Sequence, residues 1–157
     1  VVGAVRPGAA GLTARLQIRR GGRWETIDRD RTAGSGRYLL RDRRRDAMSA
    51  RARVRVSRVE QRLGRVNVYR WANASWYGPG LYGNRTGCGG TLHAGRVGVA
   101  HRTLPCGSRL TLRHRGRTVR VRVIDRGPYV GGREYDLTER TAKRLRFRGH
   151  GPILTTR

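Results

Sequence analysis

Residues Val119 to Tyr129, VRVRVIDRGPY, constrain this chain more than any other stretch. Val119, Val121 and Val123 alternate with Arg120 and Arg122. Period-two alternation makes a β-strand with one apolar face and one cationic face. Asp125 falls on the apolar face, two residues past Val123. Arg126-Gly127-Pro128 then turns the chain. A carboxylate that ends an apolar face at a loop mouth suits acid/base chemistry, because partial burial lets it hold a proton near neutral pH. Two roles stay open from this segment alone: a catalytic carboxyl, or a brace that bonds the N–H groups of its own turn.

The same alternation recurs through the N-terminal half. Leu12, Ala14, Leu16 and Ile18 alternate with polar residues, Ala52, Val54 and Val56 with Arg51, Arg53 and Arg55, and Val66 and Val68 do likewise. Trp24 to Ile27 and Tyr38 to Leu40 supply two more short strands. Turn residues stand between them: Gly21-Gly22, Asp28 to Asp30, Gly34 to Gly36 and the charged run Asp42 to Asp46. Short strands at this spacing predict a small β-sandwich over residues 1–70. The segment GRWETIDRDRTAGSGRYLL is similar to bacterial immunoglobulin-like or fibronectin-like modules. A short linker near Val68 to Ala74 leads into a second domain, residues 73–157. There, Ala74 to Tyr77, Val97 to Ala100, Arg109 to Arg113, Thr118 to Ile124 and Ile153 to Thr155 read as strands. His114 to Arg117 reads as a hairpin turn. Thr138 to Leu145 reads as a helix capped by Thr138, with Ala142 and Leu145 facing the core.

Charge narrows the partners. The 157 residues carry a net charge of +26, and Lys143 is the single lysine. Residues 1–70 hold 19 basic and 6 acidic side chains, residues 71–157 hold 17 and 4, so each part is net +13. Such an excess favours a polyanionic partner or surface, unless arginine is simply the default surface cation of a GC-rich genome. Nucleic acid is disfavoured, since no helix-turn-helix, zinc-finger or stacking-platform pattern is present. No run of 18 apolar residues occurs, so no membrane-spanning helix is expected. The chain begins at Val1 without a leader, as a mature or trimmed chain would, and this says little about its compartment.

Cys88 and Cys106 sit in Gly-rich loops. In an oxidising compartment such a pair forms a disulfide. The rival reading is a zinc site, because His93 and His101 lie between them in a C-x4-H-x7-H-x4-C order, which is not a familiar zinc spacing.

Four ordered motifs give the C-terminal part a family resemblance. ASWYGPGLYGNRTGCGG (74–90), VAHRTLPCGSRL (99–110), VIDRGPYVGGREYDLT (123–138) and the short helix that follows resemble the rare lipoprotein A family. Those proteins are double-psi β-barrels, related to expansin barrels and to septal lytic transglycosylases. The resemblance implies a mainly β chain: the immunoglobulin-like sandwich, then a six-stranded double-psi barrel with one short helix. It also implies a secreted protein outside the cytoplasmic membrane, acting as a monomer on peptidoglycan glycan strands, with anionic wall polymers as further partners. No metal or organic cofactor is implied.

Site residues follow from the same resemblance and from the residues themselves. The family aspartate of the I-D-R-G-P motif, its acid/base, corresponds to Asp125, and its groove histidine to His101. His101 has a simpler role open to it, a buried ring that holds a loop by a backbone hydrogen bond. Tyr77 and Tyr82 offer faces for sugar rings, with Trp76 expected inside the barrel. Arg126 and Arg102 are expected to hold substrate carboxylates. Asp136 is expected either to support the site or to brace nearby arginines. One position departs from the family: the glutamate of its lytic members falls at Gly90. Hydrolysis usually needs two carboxyls. With Asp125 alone well placed, lytic transglycosylation is the better expectation, followed by non-catalytic glycan binding or expansin-like loosening of the wall.

Overall fold

The computed structural model describes residues 1–157. It divides into two compact units, Val1–Val68 and Tyr69–Arg157. The first contains β1 (Val2–Ala4), β2 (Thr13–Arg20), β3 (Arg23–Arg31), β4 (Arg37–Leu39), β5 (Met48–Val56) and β6 (Val59–Val68). Four of these form an antiparallel sheet in the order β3-β2-β5-β6, and β1 pairs with β4 as a two-stranded ribbon. Tyr38 and Leu40 pack on Ala14, Leu16, Val54 and Val56. The ribbon thus covers part of the apolar face that the alternation creates. Ile18, Met48, Ala50 and Ala52 make a second cluster with Ile27, Leu63, Val66 and Val68. Strands of three residues give a lighter second layer than an immunoglobulin-like sandwich carries. The reason is length: the four long strands use most of the 68 residues.

The second unit contains β7 (Arg70–Tyr77), β8 (Val99–Ala100), β9 (Arg109–His114), β10 (Arg117–Asp125), β11 (Tyr135–Thr138), α1 (Glu139–Leu145) and β12 (Gly151–Thr155). The stretch read as linker is strand from Arg70 onward, because Ala72 and Ala74 turn inward to the core. The six strands close into a barrel in the order β10-β8-β11-β7-β12-β9. Two pairs are parallel, β7 with β11 and β8 with β10, and the rest antiparallel. This is the double-psi arrangement. Its core holds Leu110, Leu112, Val121, Val123, Leu137, Leu145 and Ile153. Each such aliphatic side chain contributes about 2 kcal/mol on burial.

Asp28 to Asp30, read as a turn, lies inside β3, where Asp28 and Asp30 accept from the amides of Arg41 and Leu39. Other local signals behave as the sequence implies. Arg115 and Gly116 both take positive φ between β9 and β10, the two-residue turn that matches strand twist. Thr138 caps α1 by accepting a hydrogen bond from the Thr141 amide. Glu139 opens the helix and Lys143 and Arg144 close it, each sign facing the end of the helix dipole that favours it.

Candidate active site

Strand alternation delivers Asp125 to the rim of the barrel. Val121 and Val123 point into the core, and Asp125 continues their face where β10 leaves the barrel. A bulge in the pairing with β8 lies between Val123 and Asp125, which sits opposite Ala100. On the other side of β8, Ala100 also faces Asp136 of β11. The two carboxylates therefore flank one short strand, with backbones about 10 Å apart from strand spacing. Both line a cleft of about 310 Å³ together with Tyr77, Tyr129 and Arg133.

Asp125 is held on both oxygens. Oδ1 accepts from the amide of Gly87 at 2.7 Å and from that of Arg126 at 2.8 Å. Oδ2 accepts from the Tyr77 hydroxyl at 3.1 Å. Gly87 is required here, since a Cβ would stand 2.8 Å from the Arg126 side chain. Burial pushes the Tyr77 phenol well above its ordinary range, and the charge of Asp125 adds to this. Tyr77 thus stays protonated and donates. Asp136 accepts from Ser75 Oγ at 2.9 Å. Burial raises its pKa, the Ser75 bond and Arg133 oppose this, and the charge of Asp125 adds to the rise. Asp136 is the carboxyl of the cleft pushed toward its protonated form.

Cys88 and Cys106 form a disulfide, which removes the thiolates a zinc site would need. The bridge ties two loops to the end of β10: the Cys88 amide donates to Ile124 O at 3.3 Å, and the Gly107 amide to Val123 O at 2.8 Å. Arg126 lies across this junction. Its Nη1 donates to His101 O and Leu104 O at 3.1 and 2.7 Å, and its Nη2 reaches Cys106 Sγ at 3.0 Å. The guanidinium expected to hold substrate carboxylates is thus turned onto the protein's own loop.

His101 is placed beside the cleft and not in its lining. Its Nδ1 accepts from the amides of Thr103 and Leu104, at 3.1 and 3.0 Å, which puts the ring proton on Nε2. Nε2 is 3.7 Å from Glu134, and the ring tilts against Tyr135 at 5.0 Å. Burial lowers its pKa and outweighs the pull of Glu134, so the ring is neutral near pH 7. Its link to Asp125 runs through the backbone, the His101 amide donating to Asp125 O at 3.2 Å. Glu134 is itself gripped by Arg70, with one contact at 2.9 Å.

Other expected residues fall elsewhere. Arg102 is exposed and does not line the cleft. Tyr82 gives its hydroxyl to Glu139 and lies outside the lining. Trp76, expected in the core, is 37% exposed, because β7 is leaving the barrel rim toward Gly78. Sequence reasoning missed the lips of the cleft. Leu81, Tyr129 and Val130 are apolar, exposed and part of the lining, Tyr129 at 80% exposure. The run Pro128-Tyr129-Val130 before Gly131-Gly132 was the available signal, two large apolar residues in a turn with nothing to pack on. At Gly90 the backbone takes a φ of +79°, and a Cβ would meet Arg96 Nη1 at 2.8 Å. Arg96 bonds the carbonyls of Thr91 and Gly89 across this turn, so the loop is built for glycine and not for a glutamate.

The fold and site together define a closed double-psi barrel with two carboxylates in one rim cleft. The lytic transglycolase family model matches residues 71–154, and the chain belongs to that family. A probable endolytic peptidoglycan transglycosylase RlpA of Synechocystis is 42% identical over 80 residues, half of this chain and 25% of that protein. Its counterpart from Aquifex aeolicus is 45% identical over 74 residues, 46% of this chain and 33% of that protein. The match thus spans a quarter to a third of those relatives. Among solved structures, an expansin of Clavibacter michiganensis aligns with a TM-score of 0.45 at 27% identity, covering 55% of this chain and 48% of that one.

Proposed function

We propose that the barrel cleaves peptidoglycan glycan strands by lytic transglycosylation, with Asp125 as general acid and then base. The observation that carries this reading is the Asp125 carboxyl itself, oriented by two amides and a tyrosine at the floor of an open cleft. The relatives named as peptidoglycan transglycosylases support it. Asp125 protonates the bridging oxygen as the C1–O bond breaks. The C6 hydroxyl of the same sugar closes on C1, and its proton passes to Asp125. The leaving sugar takes one proton and the ring closure returns one, so no water is consumed and one carboxyl serves both steps. Asp136, pushed toward its protonated form, donates to a sugar hydroxyl and supplies the second carboxyl that Gly90 does not. Tyr129 offers its face to a sugar ring, and Arg133 meets carboxylates of the stem peptide. Tyr77 and His101 position Asp125, Tyr77 by its hydroxyl and His101 by its backbone. This chemistry needs proton transfer alone and calls for no metal or organic cofactor. Its substrate lies outside the cytoplasmic membrane, and the protein acts there.

A second reading, non-catalytic binding or expansin-like loosening of the wall, is favoured by one observation: the left-handed glycine at position 90. Mass spectrometry of soluble products from peptidoglycan separates the two. Anhydro-muropeptides from the protein and none from Asp125→Asn support the enzyme. Absence of products from both, with both proteins pelleting with the wall, supports the binding barrel.

A further inference from the structure

The cleft occupies one end of β10. The other end, roughly 26 Å away along the strand, carries a second and larger groove of about 820 Å³. Three strands build its floor. Trp71 of β7 is paired with Leu154 of β12, and Leu154 with Arg113 of β9, in one continuous rung. The β9–β10 turn adds Arg115, and the segment after α1 adds Arg146, Arg148 and His150. No carboxylate lines the groove. Of the four acidic side chains in this unit, Asp125 and Asp136 stand in the cleft, Glu134 is held by Arg70, and Glu139 by Lys143. The four arginines are exposed, and they repel one another without compensation. Trp71 lies among them with 68% of its surface open to solvent, although a tryptophan of this size is normally covered.

Several unneutralised cations in one groove ask for a polyanion, and an open indole face asks for a flat apolar ligand face. Together these fit a polymer that alternates phosphodiesters with sugars. We infer that this groove binds a sugar-bearing phosphodiester polymer of the cell wall and so anchors the barrel beside its glycan substrate. This rests on the wall-directed reading of the cleft. Nucleic acid fits the charge but not the surface: single strands are held on several successive aromatic faces, and here one exposed indole stands alone. Phe147, the other large ring of the groove, is buried.

The test uses the full chain and glucosylated poly(glycerol phosphate) as the probe, with binding followed at several salt concentrations. The double variant Arg113→Gln/Arg148→Gln should weaken binding at least tenfold. Its slope of log affinity against log salt should fall by roughly 1.4, the loss of two phosphate contacts on a flexible polyanion. A control that removes equal charge outside the groove, Arg117→Gln/Arg140→Gln, should change affinity less than threefold. Trp71→Ala should weaken the glucosylated polymer and leave the unglucosylated one unchanged. Asp125→Asn should bind as the parent does, so the groove stands or falls apart from the catalytic reading. Equal losses in groove and control variants would overturn the proposal, as would an oligonucleotide of equal charge binding as tightly as the glucosylated polymer.

Discussion

Strands β5 and β10 are composed almost alike and end in different situations. β5 alternates Ala50, Ala52, Val54 and Val56 with Arg51, Arg53 and Arg55, and β10 alternates Val119, Val121 and Val123 with Arg120 and Arg122. In both, the small apolar members are buried. β5 lies inside an open sheet, and one of its arginines is absorbed by the sheet surface: Arg53 stacks over Trp24 at 4.1 Å and bonds Gln17 and Glu60. β10 lies in a closed barrel and ends in Asp125, beside a parallel strand that comes from elsewhere in the chain. Alternation therefore specifies a strand and its two faces. A functional site arises where the alternation meets a residue that cannot stay buried unpaired, and where closure brings other loops to that residue.

The sharpest way to break this contrast is Asp125→Asn. Turnover of peptidoglycan should fall by about 10²–10⁴-fold, the usual worth of a general acid/base. Arg53→Gln, its counterpart in β5, should leave turnover unchanged. Release of anhydro-muropeptides measures both. Unfolding of the barrel by Asp125→Asn would instead make that carboxyl a brace, and the contrast between the two strands would vanish.

Core truncation tests whether the two units stand separately. Leu137→Ala in the barrel and Ile18→Ala in the sheet should each cost about 3 kcal/mol, since both side chains are fully buried. Amide hydrogen exchange should place each loss in its own unit. Exchange rising in both units from either change would show that they unfold as one.

The disulfide gives the barrel something the sheet lacks. Cys88→Ser/Cys106→Ser opens a loop with a sequence separation of 18. The barrel should lose about 3 kcal/mol by the loop-entropy argument. Turnover should fall as well, because the Gly87 amide and Arg126 lose the tether that holds them at Asp125. Loss of stability without loss of turnover would limit the bridge to a purely structural role.

The smallest effect is in pH. Burial raises Glu134, but the grip of Arg70 more than offsets it and leaves its pKa below the usual value. Burial lowers that of His101. A depressed pKa contributes stability above the unfolded value that is lost as pH falls through the folded one. The barrel should thus weaken on acidification, first below about 6.5 through His101 and then below about 4.3 through Glu134. Asp136, raised by burial, acts in the opposite sense, and Asp136→Asn should remove its share. Denaturant unfolding against pH checks this. His101→Gln should flatten the upper part of the loss, and Glu134→Gln the lower part, by about 0.5–1 kcal/mol each.

Much of this protein was legible before any coordinates. Most of the longer strands, the His114–Arg117 turn, the Thr138 cap and the position of Asp125 follow from local rules, in which neighbours along the chain decide the outcome; β1, β11 and the Asp28–Asp30 part of β3 did not show in the sequence. Their periodicity, turn chemistry and capping operate over two to four residues, the range a sequence displays directly. Other features depended on contacts between residues far apart. The meeting of Asp125 and Asp136 across Ala100 joins β10, β8 and β11. The turning of Arg126 onto the disulfide loop and the withdrawal of His101 into its own turn are choices among partners that only closure supplies. The rung from Trp71 through Leu154 to Arg113 joins positions that no local pattern relates. Sequence by itself determined which faces are apolar and which residues end them. Tertiary structure alone decided which charges find a partner and which are left facing solvent, because a charge pairs with whatever the closed barrel brings within a few ångströms, not with its neighbours along the chain.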